Sequence, residues 1–266
     1  MNQLPQKMIH TKQLLMPLFW HSFFLQTTWN YERMQNIGFA FSLMPLLRRL
    51  YPLPAERIRA IKRHLEYFNT NPYMVPIILG VVAAMEHKVA AAQPERREMQ
   101  EQAITTFKNN IAGPLAAIGD KFFWALWRPF SSLIGVALTI WLYDINDFRG
   151  TWLIPIVTVL AYNVLVIPFR IWGVKAGYLY RRSITRLVTL IRFDQVVDSL
   201  NYIGMGMVIF IGISYALVFT RTLLQGAEFI AIFVGAVILV KRDIAPVFIV
   251  YMVVVFSAVY HVLTGV

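Results

Sequence analysis

The chain has 266 residues, 58% of them hydrophobic and only 15% charged, against roughly 45–50% and 25% in soluble domains. A soluble domain of that balance would leave far too much apolar surface in water, so composition places the chain in a membrane. The net charge is +11, and the lack of cysteine excludes a disulfide framework and a thiolate metal site. The basic residues border apolar stretches, with no separate soluble domain to carry a nucleic-acid-binding face. Attraction to anionic lipid headgroups explains the charge, and no nucleic acid is expected as a partner.

The first apolar stretch, Leu14 to Leu25, is interrupted by Pro17 and His21. No small-residue cleavage site follows it, so it does not read as a cleavable signal. Residues 29 to 51 (WNYERMQNIGFAFSLMPLLRRLY) then mix aromatics with Asn30, Glu32, Arg33, Gln35 and Asn36. In a helix, Glu32 would share a face with Asn36 and Trp29 with Arg33. Such groups suit a sugar, whose hydroxyls pair with carboxylates and amides while an aromatic ring covers its apolar face. They equally suit a helix packed on a partner, with Glu32 and Arg33 anchoring polar contacts.

Residues 54 to 68 (PAERIRAIKRHLEYF) predict an amphipathic helix with Pro54 in its first turn. Ile58, Ile61, Leu65 and Phe68 form one stripe, while Arg57, Arg59, Lys62 and Arg63 form a solvated or lipid-facing basic face. Pro72 biases Asn71 away from helical geometry, which makes Asn69-Thr70-Asn71-Pro72 a break. The apolar run Met74 to Met85, with Pro76 and Gly80, is short for a crossing and reads as a buried or re-entrant segment. Residues 86 to 110 predict a solvated connection with a helix after Pro94. Residues 109 to 128 return to apolar character, with Gly113, Pro114 and Gly119 as structural breaks and Asp120-Lys121 as a charge pair. Two interrupted apolar arms joined by a polar loop resemble the discontinuous helices around a transporter's midplane site. A carboxylate at membrane depth, such as Asp120, is by default a functional candidate; the alternative places Asp120 and Lys121 at headgroup level, paired with Arg128 or water.

Apolar stretches at about 130 to 143, 152 to 169, 203 to 220, 226 to 240 and 244 to 266 predict about five spans. Fifteen of the 25 Lys and Arg residues precede Phe130, six lie between Arg170 and Arg192, and Lys241-Arg242 forms a further turn. The positive-inside rule then puts the N-terminus in the cytoplasm and the C-terminus outside. Glu228 falls inside a span. The expected fold is all-α and polytopic: helices contacting the interface or a partner over 1–53, an amphipathic helix plus two broken hairpin arms over 54–129, and a membrane-spanning region over 130–266.

No catalytic constellation is visible. His10, His21, His64, His87 and His261 are scattered without metal-ligand spacing, and no nucleophile elbow, phosphate-binding loop or dinucleotide fingerprint occurs. No cofactor, metal or catalytic residue is expected.

Taken together, the motifs at 29–51, 63–73 (RHLEYFNTNPY) and 113–129 (GPLAAIGDKFFWALWRP) resemble the IID membrane component of the mannose-class sugar phosphotransferase systems of bacteria. The resemblance covers roughly residues 15 to 180, with the motifs in the family's order. It implies a non-phosphorylated half of a sugar translocator in the cytoplasmic membrane. The chain would pair with a IIC subunit, in oligomers of such pairs, and deliver a hexose or amino sugar to phosphorylated IIB, charged through IIA, at its basic inner surface. By motif, Asn30, Glu32, Arg33, Asn69, Asn71 and Asp120 would serve binding or translocation, with Pro72, Gly113, Pro114 and Gly119 as breaks. Lys121 stands where the family usually has a small or uncharged residue, and the region after about residue 195 looks shortened. A stand-alone secondary transporter or channel, or a purely structural membrane subunit, are the other readings.

Overall fold

The computed structural model describes residues 14–145, 148–184 and 193–219, with scattered positions of 226–242. All regular structure among these residues is helical, and the only extended pairing is two isolated bridges. The helices are α1 (Leu14–Phe24), α2 (Asn36–Leu50), α3 (Pro54–His64), α4 (Val75–Ala90) and α5 (Pro94–Gly119), which runs on through a π-helix at Asp120–Trp127 into α6 (Arg128–Asp144). Then come α7 (Leu153–Tyr180) and α8 (Phe193–Phe219). The expected spans at 130 to 143, 152 to 169 and 203 to 220 fall on α6, α7 and α8. Those at 226 to 240 and 244 to 266, with Glu228 and the Lys241-Arg242 turn, lie outside the described residues apart from scattered positions.

The chain forms two units that are not consecutive stretches: Met1–Gly135 with Trp152–Gly204, and Val136–Thr151 with Met205–Val266. The second unit contains the end of α6 and the end of α8. Among the described residues, three helical stretches are long and apolar enough to cross a membrane: Pro94–Asp144, Arg149–Tyr180 and Gln195–Ser214. On α7 the exposed residues Val159, Leu160 and Val164 are apolar, as lipid contact requires.

The core of the first unit is built around α4. Every residue from Val75 to Glu86 is buried, which explains why the run is apolar on all sides rather than striped. Its 16 residues extend about 24 Å, short of a bilayer's hydrocarbon thickness, in keeping with the buried segment expected of it. Against α7 it packs backbone to backbone. A side chain on Gly80 would run into the Val174 carbonyl, and one on Gly177 into the Ile77 carbonyl. Small residues at such crossings are how membrane helices approach closely without a hydrophobic drive.

Two expectations fail at the end of α4, for one reason. Glu86 was assigned to a solvated connection and Arg63 to a solvated or lipid-facing surface, yet Glu86 is fully buried and Arg63 is 8% exposed. The Arg63 guanidinium meets both carboxylate oxygens, Nε to Oε1 at 3.0 Å and Nη2 to Oε2 at 3.1 Å. Tyr51 Oη donates to Oε2 at 2.6 Å and His64 Nε2 lies 2.9 Å from Oε1. Arg63 also reaches Glu101 of α5 at 3.1 Å. Buried Lys108 places its ammonium over the rings of Phe39 and Phe68, 5.1 and 5.7 Å from their centroids. A buried carboxylate is tolerated only when fully partnered, and this need overrides the apolar stripe of α3: Ala60, Arg63 and His64 face inward while Ile58 is exposed.

The cluster fixes protonation. Burial acts to raise the Glu86 pKa, but the His64 hydrogen bond and the Arg63 charge outweigh it and hold the carboxyl down at about 2. Burial pushes His64 down to about 4, against the pull of Glu86. Neutral His64 therefore carries its proton on Nε2, since an ionised carboxylate only accepts, and its buried Nδ1 has no partner. An unfolded histidine takes up its proton near the ordinary 6.5 and this one only near 4, so the unfolded chain binds more protons across that window and stability falls as pH drops through it. Thermal unfolding in detergent should show a decline from pH about 6.5 to about 4 that flattens in His64→Gln, which keeps a donor to Glu86 but cannot titrate. An equal decline in the variant would place its origin elsewhere.

Candidate functional site

The three aromatic and polar motifs come together in the first unit. Residues 29 to 35 do not form the expected helix; α2 begins only at Asn36. Asn30 and Met34 exchange backbone hydrogen bonds at 3.1 and 2.9 Å, and Met34 closes the turn at φ 58°. Asn30 spends its amide on this turn: Oδ1 accepts from the Arg33 N–H at 2.8 Å and Nδ2 donates to Asn36 Oδ1 at 3.0 Å. Asn side chains favour such local bonding over helix, which is why the pairings drawn on a helical wheel do not arise. Glu32 and Arg33 pair with each other at 3.1 Å with side chains 79% and 52% exposed. They anchor no buried contact.

The turn grips the second motif. Asn36 Nδ2 donates to the Leu65 carbonyl at 2.8 Å. Buried Gln35 reads both backbone groups of Thr70, donating to its carbonyl at 2.8 Å and accepting from its N–H at 3.1 Å. A break carries orphan backbone groups, and here they are supplied with side-chain partners. Asn69 is exposed, while Asn71 and Pro72 are buried.

At Asn71 the second motif meets the third. Asn71 Nδ2 donates to Asp120 Oδ1 at 2.8 Å, and its Oδ1 accepts from the Tyr73 N–H at 3.0 Å. Thr70 Oγ1 donates to the Ala112 carbonyl at 2.8 Å. A Cβ on Gly119 would stand 2.5 Å from the Asn71 side chain, so glycine is what allows this approach. Asp120 is exposed, leaving its carboxylate open to hydroxyl donors. The expected interruption of α5 at Gly113 and Pro114 is absent: Pro114 lies inside the continuous helix. The irregularity comes later, in the eight-residue π-helix that Asp120 opens. There the Arg128 N–H bonds to the Phe123 carbonyl, five residues back. The wider turn packs Phe122, Phe123 and Leu126 inward, with Phe123 against Tyr73 at 4.9 Å and Phe169 at 5.1 Å.

Arg170 of α7 holds this junction from behind. It is 4% exposed, donates to the Pro72 and Ser22 carbonyls at 3.3 and 2.9 Å and lies 4.5 Å over the Phe23 ring. Its signal was a lone charge within an apolar helix. Gln35 and Thr70 gave no comparable signal, because their value lies in a partner 35 residues away.

Comparison with known proteins agrees with this geometry. A family model described as the mannose/fructose/sorbose family IID component of the phosphotransferase system matches residues 10–265. The mannose-specific EIID component of Escherichia coli (strain K12) is 38% identical over 162 residues, 60% of this chain and 53% of that protein. The sorbose-specific EIID component of Lacticaseibacillus casei is 32% identical over 155 residues, 58% of this chain and 51% of that protein. The chain thus spans about half the length of these curated relatives. Among solved structures, a chain from the cryo-EM structure of the mannose transporter ManYZ with microcin E492 matches with a TM-score of 0.56 and 26% identity, covering 95% of this chain and 96% of that one. Another, described only as a membrane protein, matches with a TM-score of 0.69 and 25% identity over 94% of this chain and 96% of that one.

Gly119→Ala tests the junction. The added methyl group should displace Asn71 and destabilise the protein by about 1–3 kcal/mol, read as a lowered unfolding midpoint. An unchanged midpoint would mean that the close approach of Gly119 to Asn71 is not required.

Proposed function

Because the chain belongs to the mannose/fructose/sorbose family of phosphotransferase-system IID components, we propose that it forms, with a IIC membrane subunit, the unit that carries a hexose or amino sugar across the cytoplasmic membrane. The sugar is handed to phosphorylated IIB, charged in turn through IIA, so that uptake and phosphorylation are coupled. This chain is not phosphorylated; the phosphoryl chemistry belongs to its soluble partners, and its own part is passage and positioning. The charge distribution supports a cytoplasmic N-terminus and a C-terminus outside, after about five spans. IIC–IID pairs associate into oligomers.

The observation that carries this reading is the exposed carboxylate of Asp120, held by buried Asn71 where two interrupted segments meet. Irregular backbone within a membrane protein lies buried in protein or lines a cavity, and the exposure of Asp120 favours the second, where its carboxylate accepts sugar hydroxyls. Asn69, exposed two residues before Asn71, and the surface pair of Glu32 and Arg33 are further candidate contacts. Asn30 shapes the turn that steadies them. Pro72 and Gly119 hold the junction's form.

Sugar uptake with concomitant phosphorylation, measured in cells expressing this chain with and without a IIC partner and soluble IIA and IIB, tests the proposal. Activity should require every component; uptake by this chain alone would overturn it. Asp120→Asn keeps the bond to Asn71 but loses the charge, and should raise the apparent KM for sugar by roughly tenfold or more while IIC still co-purifies with the variant. An unchanged KM would remove Asp120 from the sugar's path.

A further inference from the structure

The helix α3 is turned inside out relative to an ordinary surface helix. Its inward side buries Ala60, Arg63 and His64, because Glu86 demands the two polar groups. Its outward side presents Ala55, Ile58, Arg59 and Lys62, all exposed and all within one stripe at three- and four-residue spacing. Ile58 is 53% exposed, and Leu53 before the helix and Tyr67 after it are 63% and 55% exposed. Arg48, in the last turn of α2, is exposed as well.

Single exposed apolar residues need no explanation. Here, however, they alternate with cations, and Arg48, Arg59 and Lys62 have no ion pair among the described residues. Of the nearby acids, Glu56 is committed to Arg97 at 2.8 Å, and only Glu66, four residues after Lys62, lies on the outward side. A solvated face would have no use for Leu53, Ile58 and Tyr67. A face docked on the protein's own core would have no use for the cations. Both kinds of residue fit one environment, the boundary layer of an anionic leaflet.

We propose that the outward face of α3, with Leu53, Tyr67 and Arg48, is an anionic-phospholipid binding surface lying in the headgroup layer. Leu53 and Ile58 enter the boundary between headgroups and acyl chains, and the Tyr67 ring sits at headgroup level with its hydroxyl toward water. Arg48, Arg59 and Lys62 meet lipid phosphates, Arg with a planar fork and Lys as a point charge. The Glu86 cluster thereby ties the membrane surface to the core of the first unit through a helix that cannot roll without stranding a buried charge.

Because the chain has no cysteine, Ile58→Cys can carry a single nitroxide probe in the otherwise complete protein. With the labelled chain in vesicles of phosphatidylcholine with or without phosphatidylglycerol, accessibility to oxygen and to a water-soluble nickel chelate reads the probe's depth. The proposal expects several-fold protection from nickel in the phosphatidylglycerol vesicles, weaker protection in phosphatidylcholine alone, and loss of that difference in Arg59→Gln/Lys62→Gln. Both substituted side chains are exposed, so the variant's unfolding midpoint should stay unchanged. Full nickel accessibility in both vesicles would overturn the proposal. So would protection that arises only when soluble phosphocarrier protein is added, which would make this face a protein dock.

Discussion

The carboxylate of Glu86 constrains everything around it. Left without partners in the core, a charge of this kind costs several kcal/mol, and the fold supplies Tyr51, Arg63 and His64 within 3.1 Å. Those three come from the end of α2 and from α3, while Glu101 of α5 extends the cluster through Arg63. One buried acid thus ties four helices, and it does so directionally: the bidentate geometry admits a single rotation of α3. Hydrophobic packing alone would have chosen a rotation that turns Ile58 inward as well as Ile61, which already packs against the core.

The junction that carries the proposed sugar path depends on this frame. The stretch from Leu65 to Met74 leaves α3 and enters α4, so its ends are fixed by the Glu86 cluster on one side and by the glycine contacts of α4 with α7 on the other. Between them, Gln35, Asn36 and Arg170 bond the backbone of the break. A polar passage through a membrane protein needs irregular backbone whose hydrogen bonds are already met, otherwise the segment would close into helix or fill with water. Asp120 opens the π-helical turn that follows α5. The turn buries Phe122, Phe123 and Leu126 while Trp124 stays exposed, so the aromatic anchors sit on the side away from solvent.

Much of this was legible in the sequence. Pro54 marked the start of α3, the unstriped apolar run after Tyr73 marked a buried α4, and the order of three motifs marked the family. Asn71 and Asp120 were singled out from opposite arms, and they do meet. What escaped has a common physical origin in long-range partnership. Arg63 reads as a surface cation until Glu86, 23 residues on, is known to face it. Glu86 itself reads as the start of a loop because nothing local tells a capped acid from a buried one. Gly113 and Pro114 read as breaks by propensity, yet a proline can ride within a long helix when neighbouring groups satisfy the freed carbonyls.

A double-mutant cycle on Arg63→Met and Glu86→Gln, followed by equilibrium unfolding in mixed micelles, tests most directly whether this pair sets the frame. The account predicts that each single change is strongly destabilising and that the pair couples by roughly 2 kcal/mol or more. Effects that add to within about 0.5 kcal/mol would contradict it and return the orientation of α3 to its apolar stripe.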